Sequence, residues 1–125
     1  MKISPYLQFN GNCAEAITFY EKTFSVKAEV YKEDDGFVSH AELDLGGCFI
    51  GLSDTPPEEG KSDFGNGGIS ISLLLDSVKE VKGLFEKLSS GGKIIKKPEA
   101  TDWCDCFCTF YDKFGVNWSV ICGEK

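Results

Sequence analysis

Two stretches of the chain repeat apolar residues at helical spacing. In the first, Cys13, Ala16, Ile17, Tyr20 and Phe24 share one face; Asn12 stands where an N-cap belongs and Glu15 follows three residues later. The pattern predicts a helix over 13–24 opened by a capping box. In the second, Val78, Val81, Leu84, Phe85 and Leu88 form the stripe, Ser77 and Glu80 supply the box, and Ser89-Ser90-Gly91-Gly92 ends the helix. Alternating segments precede each helix, at 3–9 and 69–75. Three more follow each helix, at 26–32, 37–45 and 48–53 and then at 93–97, 103–111 and 116–122. Gly46-Gly47 joins two of them as a two-residue hairpin turn.

The chain therefore reads βαβββ twice. The first module covers 1–54, a Pro-, Gly- and Asp-rich linker covers 55–68, and the second module covers 69–125. The fold class is α+β, with each module a four-stranded sheet carrying one helix. Strand parity divides the side chains between two faces. Ile3, Leu7, Phe9, Ala41, Leu43, Leu45, Cys48, Ile50, Leu52, Ile69, Ile71, Leu73 and Leu75 suit the helix side. On the other side stand Ser4, Tyr6, Gln8, His40, Glu42, Asp44, Gly51, Ser53, Ser70 and Ser72. Pairing through the hairpin sets Leu45 opposite Cys48, Glu42 opposite Gly51 and His40 opposite Ser53. Tyr6, Phe49, Leu74 and Ile121 lie among the polar groups of that second face, a mixture that suits a cleft better than open solvent.

The segments PYLQFNGNCAEAITFY, HAELDLGG, the strand ending LSD, SLLLDSVKEVKGLFEKLSSGGKI and FYDKFGVNWSVI resemble the vicinal oxygen chelate superfamily (glyoxalase, bleomycin resistance protein and dioxygenase), and within it the PhnB-like branch. The resemblance spans nearly the whole chain. It implies a glyoxalase-like fold in which two βαβββ modules form a curled mixed sheet around a cleft, in a homodimer. It also implies a divalent metal held by four His, Gln or Glu ligands, two from each module, which polarises substrate oxygens. Carried onto this chain those positions are Ser4, Gly51, Ser70 and Ser119. Hydroxyls and a bare glycine are poor ligands for such ions, so no metal and no other cofactor is expected. Glyoxalase chemistry is not expected either.

Two functions remain open. The first is a metal-independent protein that binds a small organic ligand, with Tyr6, Phe49 and Trp103 as a stacking wall and Gln8, His40, Glu42 and Asn117 as polar points. The second is an enzyme of the same fold. His40 and Glu42, two residues apart on one strand face and thus about 6.6–6.8 Å apart, would act as an acid–base pair, or a metal would bind in a non-standard place. The same pair can equally be a surface feature of a half-polar strand.

Composition narrows the partners. The 125 residues carry 20 acidic and 13 basic side chains, a net charge of −7. So negative a chain is a poor match for nucleic acid or an anionic membrane surface. No apolar run is long enough to span a membrane, and the opening MKISPYLQFNGN lacks the hydrophobic core of an export signal, so a cytoplasmic location is expected. The six cysteines then read as free thiols. Cys104, Cys106 and Cys108 share one face of a strand. Thiols so spaced are too far apart for one metal, and core packing under a helix is the simpler reading, with Trp103, Asp105, Phe107 and Thr109 on the opposite face.

Overall fold

The hairpin signal at Gly46-Gly47 forms as its residue types require. Both glycines hold positive φ (93° and 99°), which side-chain-bearing residues avoid, and Asp44 Oδ1 accepts both of their N–H groups. The computed structural model describes residues 1–125 and divides them into two compact units, Met1–Asp63 and Phe64–Lys125.

The first unit contains β1 (Tyr6–Phe9), α1 (Cys13–Phe24), β2 (Glu29–Lys32), β3 (Val38–Asp44) and β4 (Phe49–Asp54), then a single 3₁₀ turn over Pro57–Glu59. Its sheet order is β1-β4-β3-β2, with β1 parallel to β4 and the other pairs antiparallel. Cys13, Ala16, Ile17 and Tyr20 of α1 are buried, as are Leu7, Phe9, Ala41, Leu43, Ile50 and Leu52 of the strands. The segment after β4 stays with this unit, because Ser62 is tied to Asn10 and to the Gln8 carbonyl.

The second unit contains β5 (Ile71–Leu75), α2 (Val78–Leu88), β6 (Lys93–Glu99), β7 (Cys104–Tyr111) and β8 (Asn117–Glu124), in the order β5-β8-β7-β6. Val81 and Leu88 of α2 are fully buried, with Cys104, Cys106, Cys108, Phe110, Trp118 and Val120 of the sheet. The cysteine run of β7 is therefore core, and Trp103, Asp105, Phe107 and Thr109 take the other face. Asp112 fixes the β7–β8 turn by accepting from the Phe114 and Val116 N–H groups and from the Trp118 indole.

Three local expectations change. The Asn12 side chain caps nothing. Instead Asp54, buried at the end of β4, accepts from Cys13 N–H with Oδ1 and from Val38 N–H with Oδ2. A carboxylate arriving from another strand meets the positive helix end better than a neutral amide. Ile3 and Ile69 are 91% and 82% exposed rather than in the core, because β1 and β5 begin only at Tyr6 and Ile71. Cys48 is exposed as well, since it sits beside the hairpin turn and precedes β4. At α2 the serine cap does form: Ser77 Oγ accepts from Glu80 N–H and donates to Glu80 Oε1.

Candidate functional site

On the first unit's face away from α1, Tyr6 pairs with Gly51 across β1 and β4, and Gly51 pairs with Glu42 across β4 and β3. Gly51 decides what this register can do. A Cβ there would lie 2.5 Å from Tyr6 Cδ2 and 2.8 Å from Cε2, so only glycine lets the phenol lie across β4. The ring reaches His40 on β3, where Tyr6 Oη is 3.0 Å from His40 Nδ1 and the rings stack at 5.7 Å and 20°. His40 Nε2 lies 3.5 Å from Glu42 Oε1. Tyr31, opposite His40 on β2, stacks on the imidazole from the other side at 6.1 Å and 28°. Carboxylate, imidazole and phenol thus form one chain across the sheet. With Nε2–H directed at Glu42, Nδ1 accepts the Tyr6 hydroxyl, and Tyr6 is half exposed.

Beside this chain lies a cavity of about 670 Å³. Tyr6 and Gln8 of β1, Ser39 of β3 and Ser53 of β4 line it, with Glu33, Asp35 and Phe37 from the β2–β3 loop and Pro56, Pro57 and Glu58 beyond β4. Ser53 is only 4% exposed, yet neither its hydroxyl nor the Gln8 amide bonds to any group of the chain. Asp54 also borders the cavity, but both its oxygens are committed to backbone N–H groups.

The remaining predicted site residues fall as follows. Ser4 precedes β1, and its hydroxyl donates to the Phe49 carbonyl; Phe49 itself is 47% exposed. In the second unit Ser72 pairs with Ser119, the counterpart of Tyr6 with Gly51: 66 residues separate Tyr6 from Ser72 and 68 separate Gly51 from Ser119. Ser119 Oγ is 3.3 Å from Ser70 Oγ and 3.5 Å from Ser72 Oγ, so these hydroxyls satisfy one another. Asn117 donates its amide to the Ile69 carbonyl. Trp103 packs edge-on against Phe107 at 5.1 Å. Tyr31, Ser53, Glu33, Asp35 and Glu58 were not among the predicted site residues. Cross-strand parity with His40 is the signal that finds Tyr31; the loop acids carry none.

No three His, Cys, Asp or Glu side chains converge as a metal site requires. The thiols are driven toward the neutral form: burial, aided by the Asp54 charge, pushes Cys13 up to about 12, and burial with Cys106 beside it pushes Cys108 up to about 11.

The family model for the glyoxalase/bleomycin resistance protein/dioxygenase superfamily matches residues 2–120. The chain belongs to this superfamily. Within it the chain is PhnB-like. It is 33% identical over 144 residues to Protein YjdN of Escherichia coli (strain K12), covering 96% of this chain and 94% of that one. The crystal structure of protein PA1353 from Pseudomonas aeruginosa is similar at 34% identity and a TM-score of 0.85, covering 100% of this chain and 99% of that chain. The PhnB protein from Bacillus cereus is 26% identical with a TM-score of 0.78, covering 98% of this chain and 100% of that chain. The glyoxalase-like α+β fold follows from this membership, as do the mixed four-stranded sheets. No helix is long and apolar enough to cross a membrane.

Proposed function

We propose that this PhnB-like chain binds a small organic molecule on the first unit's polar and aromatic face, without the superfamily's metal. The observation that carries the reading is the cavity of about 670 Å³, which has the size and mixed lining of a ligand site and holds an unpartnered hydroxyl and amide. The positions aligned with metal ligands support the metal-free part. Ser4 is spent on a carbonyl, Gly51 has no side chain, and Ser70 and Ser119 bond each other, a donor set that does not fit a divalent transition metal. The exposed Leu74, Ile95 and Trp103 of the second unit support a homodimer as part of the same proposal. A cytoplasmic location suits six unpaired cysteines. Calorimetric titration with zinc, nickel and manganese is expected to give no binding. Stoichiometric uptake of any of these ions that is altered by replacing Ser70 or Ser119 overturns the metal-free reading.

A second reading, an enzyme, is favoured by one observation, the Glu42–His40–Tyr6 chain. Its exposed ion pair contributes little to stability, yet it orients the imidazole toward a phenol in contact with the cavity. His40→Ala separates the two: on the binding reading it weakens ligand affinity and there is no turnover to lose, whereas on the enzymatic reading turnover disappears.

A further inference from the structure

The cavity of the first unit is lined by four acidic residues, three on its loops, Glu33, Asp35 and Glu58, and Asp54, whose oxygens are both committed to backbone N–H groups; no Lys, Arg or His side chain lines it. Asp35 uses Oδ1 to accept the Phe37 N–H; the opposite oxygen has no such partner. Phe37 and Tyr6 present aromatic surface, and Ser53, 96% buried, offers the same space a hydroxyl that the chain leaves unpaired. Resting on the reading that this cavity holds an organic molecule, we propose that its ligand is a small organic cation, a protonated amine on an apolar or aromatic body.

The chemistry selects this class against its neighbours. An organic anion would approach three carboxylates with no positive group to receive it, on a chain whose net charge is already −7. A neutral molecule would fill the volume but draw nothing from those charges. A bare divalent cation needs several oxygens at one point, and these acids do not converge as such a cluster. An ammonium group has three N–H donors that can be shared between a carboxylate, the Ser53 hydroxyl and the Gln8 amide oxygen. Its organic body would lie against Tyr6, Phe37 and Pro56, where aromatic faces also attract cations.

The probe is benzylammonium chloride, compared with benzyl alcohol and phenylacetate, using calorimetry and backbone amide NMR of the full chain. Benzylammonium is expected to bind about tenfold or more tightly than benzyl alcohol, with phenylacetate weakest, and to lose affinity as salt rises. Its shifts should centre on Gln8, Ser53 and Phe37. The triple variant Glu33→Gln, Asp35→Asn, Glu58→Gln alters exposed side chains, so its fold, checked by circular dichroism, should persist while the preference for the cation disappears. Equal binding of alcohol and ammonium, or an unchanged preference in the triple variant, overturns the cation inference and leaves the organic-ligand reading standing. Calcium that displaces benzylammonium stoichiometrically overturns it in favour of a metal. Absence of shifts in the cavity with all three probes counts against both.

Discussion

The two units place the same strand register under different chemistry. Across the central strands the first unit sets Tyr6, Gly51 and Glu42 in a row, and the second sets Ser72, Ser119 and Thr109. In the second unit the hydroxyls close on themselves: Ser119 meets Ser70 and Ser72, and Thr109 donates to the Trp118 carbonyl. In the first, the missing Cβ at Gly51 lets a phenol cross a strand to an imidazole, and the Ser53 hydroxyl and Gln8 amide remain open toward a cavity. A repeated βαβββ unit can therefore devote one copy's face to internal bonding and leave polar groups open toward a cavity on the other. The difference rests on a glycine as much as on any functional group.

The largest effect expected from breaking this comparison concerns how each unit starts its helix. Asp54→Ala leaves the Cys13 and Val38 N–H groups without their buried carboxylate, and two charge-assisted hydrogen bonds make a loss of about 4 kcal/mol the expected outcome in urea unfolding. Ser77→Ala at the second helix removes an exposed cap and should cost only about 1 kcal/mol.

Next comes the glycine. Gly51→Ala forces the Tyr6 ring off β4, with an expected cost of about 1–3 kcal/mol. The imidazole nitrogen shifts of His40 should change with it as the bond to Tyr6 Oη is lost. The matched change in the second unit, Ser119→Ala, removes only weak hydroxyl contacts and should cost less than about 1 kcal/mol.

At neutral pH the smallest effect is on the thiols, and it needs alkali to be seen. Both units hold thiols above their ordinary value of 9.0, Cys13 to about 12 and Cys108 to about 11. Near pH 10 the unfolded chain releases these protons while the folded chain keeps them, so the unfolded state gains. Stability should be unaffected by these groups below pH 9 and fall above it, through about 11 for Cys108 and about 12 for Cys13. Thermal unfolding followed against pH tests this, and Cys13→Ala should flatten the upper part of the decline.

Much of this was legible from residue order alone. The helix stripes gave 13–24 and a start at Ser77, and the parity of Cys104, Cys106 and Cys108 placed them in the core. Gly46-Gly47 set Glu42 opposite Gly51. What escaped involves long-range or loop geometry. Asp54 takes the Cys13 N–H from 41 residues away in place of an Asn12 cap, as no local pattern could signal. Tyr31 enters only through its pairing with His40 across β2 and β3, a register that no turn signal between those strands announces. Glu33, Asp35 and Glu58 carry no local signal, because their approach to one cavity depends on how two loops fold over the sheet. Gly51 looked like a lost ligand; its role as the passage for Tyr6 is visible only in three dimensions.

The most direct test of a metal-free organic site on the first unit is electron density from crystals of the chain purified from cells without added ligand. The account predicts density for a small organic molecule seated against Tyr6, Gln8 and Ser53, and none for an ion at Ser4, Gly51, Ser70 or Ser119. A coordinated divalent metal at those four positions, or a first-unit cavity filled by the chain's own side chains, would contradict it.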